Sequence, residues 1–342
     1  MTKQAFVSRA ALVLTVLIVV LPSVSIEGQA PSVRVATPPG WTPPKTPWGD
    51  PDIQGNLTNL YEVGTPLERP AQFEGRRIED ITGEELLAIR RAAQARATDN
   101  RLNADGVQGG TPEIWLDAYK HERGSMPWFV VDPPEGRIPP LVPAAQARGR
   151  GGRGGGGGGG RPSGSIEDRS LYDRCISRGL PDSMMPTLYG NSYQIVQSPG
   201  YVAIRYEMIH ETRIIPLDGR PHLNKELGLW MGDARGRWEG DTLVVETTNF
   251  RPDMTPRGAN PATLKLIERF RRVAPDKIHW YVTFDDPQTW TRPWTYMVPL
   301  TIDDEQPIVE YACHEANYAM WNIIRGQRTE EHARGGAPTT GR

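Results

Sequence analysis

The sequence predicts a mainly β protein: an antiparallel up-and-down barrel preceded by an irregular, proline-rich region with one or two short helices. Three observations support this. Six of the ten tryptophans fall between Trp230 and Trp321, which places the folded heart in the C-terminal half. Seven or eight segments rich in β-branched and aromatic residues follow Ser192 in close succession. Turn residues separate them, at Ser198-Pro199-Gly200, Glu239-Gly240-Asp241 and Ala274-Pro275-Asp276. Short antiparallel connections favour closure, because a closed sheet leaves no unpaired edge.

The chain divides by composition. Residues 1–30 combine Lys3 and Arg9 with an apolar run from Ala10 to Leu21, then Pro22 and small residues. This is the layout of a secretory signal peptide, so a periplasmic or secreted location is expected, with no membrane span after cleavage. A retained N-terminal anchor is the alternative, although the run is short of the roughly 20 residues a span requires. Residues 31–143 form a Pro-rich region expected to pack on the barrel. Within it Thr82 and Glu85 make a capping box that opens a helix reaching about Ala97. A helical turn is expected at Pro112 to Tyr119 and a strand at Trp128 to Asp132. Residues 144–165, rich in Gly and Arg, bury no apolar surface and read as a disordered linker. The barrel is expected over 166–325, and 326–342 as a disordered tail.

The barrel segments follow in order. A short helix carries Cys175. Ser192 to Gln197 and Tyr201 to Met208 form a hairpin, whose second arm can run on to Leu217. Thr242 to Phe250 is a strand. Leu264 to Val273 and Lys277 to Asp285 form another hairpin, and Thr289 to Ile302 and Pro307 to Glu315 complete the series. Because side chains alternate along a strand, each segment can be sorted into two faces. Continuous alternation from Tyr201 to Leu217 puts Tyr206, Met208, His210 and Ile214 inside and Arg205, Glu207, Glu211 and Arg213 in solvent. On the later segments Trp290, Arg292, Trp294 and Tyr296 share a face. Glu268 lies on the apolar face of its strand, a candidate inward carboxylate and partner for Arg292. The placement of His314 is left open by alternation.

The composition excludes some chemistry. The formal charge of −2 moves to −3 without residues 1–30, which argues against nucleic acid as a main partner. The four arginines of the Gly-rich run, Arg148, Arg150, Arg153 and Arg161, are few for an RNA-binding tract. There is no G-x-S-x-G elbow and no G-x-G-x-x-G unit opening a helix after a strand, the glycine run being too monotonous for a phosphate cradle, and no cofactor is expected. His210-Glu211 and His314-Glu315 repeat a dipeptide, but neighbours on a strand face opposite ways, so each supplies one ligand and no metal site is assigned. Cys175 and Cys313 are the only cysteines, and in an exported chain they are expected to pair as a disulfide, two buried thiols being the alternative.

Several stretches, WGDPDIQGN, TPLERP, QIVQSPGYVAI, RIIPLDGRPH, GRWEGDTLVVETTNF, ERFRRV, DPQTWTRPW and YACHEANY, together resemble a group of uncharacterised exported bacterial proteins. The resemblance covers most of the mature chain and implies export and a shared architecture. It brings no catalytic assignment, and the Gly-rich insertion departs from it. The strand series is also similar to lipocalin-type small-molecule-binding barrels, a likeness of fold that does not fix function.

Three functions fit these readings. The first is small-molecule binding in a barrel cavity walled by Tyr206, Trp290, Arg292, Trp294 and His210. The second is an acid/base hydrolase or isomerase using His210 with Glu268 or His314. The third is a structural envelope protein whose Pro-rich arm wraps the barrel.

Overall fold

The computed structural model describes residues 40–99, 124–151, 165–305, 308–315 and 317–333. The signal-peptide reading, the turn at Pro112 to Tyr119 and residues 152–164 of the linker lie outside these. The fold is a nearly closed antiparallel barrel of nine strands, as the sequence predicts. The strands are β1 (Gly55–Thr58), β3 (Ser192–Ser198), β4 (Tyr201–Tyr206), β5 (Thr212–Pro216), β6 (Asp233–Glu239), β7 (Thr242–Thr248), β8 (Lys265–Ala274), β9 (Lys277–Asp285) and β10 (Trp294–Ile302). A short β2 (Val130–Asp132) pairs with β10 off the main path. Their order is β5-β4-β3-β1-β10-β9-β8-β7-β6.

Two meanders, β3 to β5 and β6 to β10, are thus joined through a strand from the N-terminal region. Gly55 to Thr58 pair with Ile195 to Ser192 on one side, and Leu57 and Thr58 pair with Ile302 and Thr301 on the other. The Pro-rich region, expected to pack on the barrel, thus also supplies part of its wall. β6, which sequence reading passed over, pairs with β7 along its whole length from Asp233↔Thr248 to Glu239↔Thr242. The expected last strand, Pro307 to Glu315, does not form; described residues 308–315 are irregular.

The helices follow local chemistry. α1 (Gly83–Asp99) begins directly after Thr82. Glu85 pairs with Arg76 instead of being spent on the cap alone. α2 (Pro143–Gly151) occupies the start of the expected linker: Pro143 is preset for a first helical turn and Ala144, Ala145, Gln146 and Ala147 are good helix formers. α3 (Tyr318–Ala333) begins in residues expected as barrel and runs past 325 into residues expected as tail, where Gln327 and Arg328 are good helix formers. The segment carrying Cys175 is a series of turns, with Cys175 itself at φ 55°, and not a helix.

Alternation holds on β8, whereas β7 has mixed faces in the sequence and β9 and β10 are buried on both faces for most of their length. Leu243, Val245, Thr247, Leu266, Glu268, Phe270, Trp280, Phe284, Trp294 and Tyr296 are all inaccessible to solvent. Alternation fails between β4 and β5. The chain reverses through a 3₁₀ turn, Met208–His210, in which Ile209 and His210 take φ of 62° and 43°. β5 then pairs antiparallel with β4, Ile204 opposite Arg213. The reversal resets the faces, so Arg213 is buried, Ile214 is exposed and His210 lies outside, the opposite of what an unbroken strand would give.

The barrel closes where β5 approaches β6 without a hydrogen-bonded ladder. Gly236 on β6 makes the approach possible, since a Cβ there would stand 2.6 Å from Leu217 and 2.8 Å from Ile215. Arg213 of β5 reaches across this seam. Its Nη2 donates to Glu268 Oε2 at 2.5 Å and to Thr247 Oγ1 at 3.0 Å, while Trp280 Nε1 donates to Glu268 Oε1 at 3.1 Å. Burial pulls the Arg213 guanidinium pKa down, but the charge of Glu268 and the neighbouring Tyr206 outweigh it and leave it raised, so the guanidinium keeps its charge.

Removing one partner of such a pair strands a buried charge, at a cost of about 3–5 kcal/mol. Glu268→Leu is therefore expected to lower the urea-unfolding free energy by about that much, and Arg213→Met/Glu268→Leu to recover most of it. A second expectation concerns pH. His279 on β9 is buried, and desolvation, with Lys277 and Arg271 nearby, pushes its pKa down to about 4. The unfolded chain takes up this proton near pH 6.5. The neutral buried ring therefore contributes full stability above about pH 6.5, lost progressively as the pH falls towards 4, by on the order of 3 kcal/mol. Urea titrations of wild type and His279→Phe at pH 7 and 4.5 should show that part of the acid loss absent from the variant.

Candidate functional site

The residues expected to wall a cavity are partly where alternation put them. Tyr206, Trp290 and Trp294 are buried on the inner side, with Tyr206 beside Arg213. The rings occupy the axis themselves. Phe284 stacks on Trp294 with centroids 4.4 Å apart, Trp290 meets both edge-on at 5.5 and 5.6 Å, and Trp280 meets Tyr296 at 5.8 Å. With these side chains inaccessible to a water-sized probe, the described interior is filled by the chain's own aromatic groups. Arg292 is not among them. It lies in the turn before β10, half-exposed, 3.4 Å from Glu135, so its expected partnership with Glu268 is replaced by that of Arg213.

Nor are the acid/base candidates brought together. Glu268 is committed inside the barrel to Arg213 and Trp280. His210 and His314 are both exposed, and the Nδ1 of His210 lies 3.2 Å from the carbonyl oxygen of Tyr311. Among the described residues no group of three His, Cys, Asp or Glu could hold a metal, and no helix is long and apolar enough to cross a membrane.

A concave site exists outside the barrel. Cys175 and Cys313 form a disulfide with Cα atoms 5.7 Å apart, joining the turns before β3 to the segment that leads into α3. Around it lies a cleft of about 360 Å³ lined by Tyr172, Tyr189, Tyr311, Asp173, Glu315 and Asn317 together with apolar groups of α3, among them Met320 and Ile323. Tyr172 and Tyr189 share a hydrogen bond between hydroxyls at 3.1 Å, and the Tyr189 and Tyr311 rings are stacked 6.2 Å apart. Asn317 Nδ2 donates to the Asp173 carbonyl at 3.2 Å and to Cys175 Sγ at 3.4 Å, a second tie across the cleft floor. Burial, and next the hydrogen bond with Tyr189, raise the Tyr172 phenol pKa; burial and Tyr189 raise that of Tyr311, so both phenols are neutral at physiological pH.

No family model, curated protein or solved structure matches the chain. The site is therefore argued from its own geometry.

Unusual backbone converges on it. Cys175, Ile209 and His210 are non-glycine residues at positive φ, a conformation costing on the order of 1–3 kcal/mol when a β-branched or bulky side chain adopts it. Next to the Ile209–His210 elbow, Glu211 accepts a 2.7 Å hydrogen bond from Ser177 Oγ, two residues after Cys175. Burial raises the Glu211 pKa above the usual carboxylate range, opposed by Ser177 and by the Arg178 backbone. Sequence reading missed Tyr172, Tyr189 and Tyr311 as a group. A signal was present all the same: if Cys175 and Cys313 pair, Tyr172 and Tyr311, three and two residues away, must lie near each other.

The disulfide is expected to hold the cleft, not the barrel. In Cys175→Ala/Cys313→Ala, hydrogen–deuterium exchange should rise across 308–333 and 170–178, while β8 to β10 keep their protection. An equal rise in β8 to β10 would show that the bridge supports the whole fold.

Proposed function

We propose that the chain is an exported binding protein that holds a small molecule in the tyrosine cleft beside the Cys175–Cys313 disulfide. The observation that carries this is the cleft itself. Its volume of about 360 Å³ falls within the roughly 300–1,000 Å³ of small-molecule sites, and apolar groups share its wall with a few converging polar ones. The aromatic barrel, packed on its own axis, then acts as the scaffold for a site built on its outside. The basic start and apolar run of residues 1–30 support export, a setting in which a single disulfide persists.

An acid/base enzyme is the second reading. The strained elbow at His210 and the raised Glu211 carboxyl next to it favour it, since perturbed groups and strained backbone gather at reaction sites. On this reading His210 would act from the cleft rim, without Glu268.

Native mass spectrometry of the mature protein purified from its own periplasmic or culture extract tests the binding reading. A retained small-molecule mass is expected in wild type and its loss in Tyr189→Ala. A clean mass in the wild type, or one that Tyr189→Ala retains in full, would sink the proposal.

A further inference from the structure

We infer that the Tyr172–Tyr189–Tyr311 cleft takes a small organic cation, an ammonium or quaternary ammonium group held against phenol rings and countered by carboxylates at the rim. This rests on the cleft being a binding site and goes beyond it by naming the charge and class of the ligand.

The charge of the wall points this way. Asp173 and Glu315 are the charged side chains of the lining, which among the described residues includes no Lys, Arg or His. Neither carboxylate has an ion-pair partner among the described residues. An anionic guest would meet two like charges, at an energetic cost that nothing in the lining repays. A cation meets opposite charge and the negative faces of aromatic rings together. The Tyr172 and Tyr311 phenols are neutral, so the attraction comes from ring quadrupoles and carboxylates and does not depend on phenolate formation.

The fold already uses the same pairing beside the cleft. The Arg178 guanidinium stands 5.4 Å from the Tyr172 ring centroid, within the range of a cation–π contact, and is not part of the lining. Met320, Ile323 and Ala319 supply the apolar part of the wall, which suits the alkyl shell of a substituted ammonium better than a strongly hydrated metal ion. The arrangement thus favours a charge that is diffuse and partly apolar.

Isothermal titration calorimetry on the disulfide-bonded mature chain can test this with tetramethylammonium, choline and phenyltrimethylammonium, set against 3,3-dimethylbutan-1-ol, the uncharged isostere of choline. At least one of the three cations is expected to bind, choline or its analogues at least tenfold more tightly than the alcohol. Asp173→Asn/Glu315→Gln, both surface changes, should weaken cation binding tenfold or more while the circular dichroism spectrum is unchanged. Equal affinity for choline and the alcohol, unchanged affinity in the double variant, or no binding of any of the three cations would each overturn the cation assignment. The underlying reading is judged separately by the retained mass. A mass lost in Tyr189→Ala but displaced by none of the cations leaves a binding cleft for another ligand class, whereas no retained mass removes the cleft reading itself.

Discussion

The barrel depends on one buried interaction, Arg213 with Glu268. Backbone ladders join every neighbouring pair of wall strands except β5 and β6, so the cylinder must be closed by side chains. Arg213 starts on one edge strand and ends on Glu268 and Thr247, two strands and one strand in from the other edge. Desolvating two charges is costly, and Thr247 and Trp280 offset part of the cost by bonding to Arg213 Nη2 and Glu268 Oε1, while Nε and Nη1 of Arg213 are buried without a hydrogen-bond partner among the described residues. The neighbouring Leu266 and Phe270 keep Glu268 in a dry setting, where the attraction is stronger than it would be in water. Gly236 is the steric counterpart of this electrostatic closure, giving the two edges room to meet.

A filled interior leaves the concave surface outside the barrel. Lipocalin-like architecture suggests a hollow cup, yet Phe284, Trp290, Trp294, Trp280 and Tyr296 pack on one another along it. The concavity appears instead where a covalent bond holds two irregular segments apart from the sheet. Neither segment has a ladder to fix it, so the disulfide, the two Asn317 hydrogen bonds and the stacked tyrosines do the positioning. The division of labour is common in β proteins: regular strands supply rigidity and irregular loops supply the site.

Legibility in the sequence followed the same division. The hairpins at Ser198-Pro199-Gly200 and Ala274-Pro275-Asp276 and the inward face of β8 could be read because turn chemistry and period-2 alternation are local. Glu268 was legible as an inward carboxylate for that reason. Its partner was not, because the five residues from Glu207 to Glu211 reverse the chain without a glycine or proline to mark the turn. Ile209 in a left-handed conformation gives no local signal, and one such break exchanges inside for outside along the rest of the segment. Arg292 misled in a related way, since Pro293 follows it and the strand begins only at Trp294. The role of Gly55 to Thr58 was invisible because its partners are far away in the chain.

That last feature governs how the molecule can assemble. β1 is wedged between β3 and β10, pairing Gly55 with Ile195 and Leu57 with Ile302, so an early segment of the chain waits for partners made much later. Each meander can form from neighbouring sequence, but the wall is complete only once residues around 300 are present. Contacts of such long sequence separation make for slow folding, and the open edges of β3 and β10 are exposed until β1 docks. A chain made from its N-terminus therefore carries an unfinished wall through most of its synthesis, because the barrel has no means of closing before its final strand has arrived.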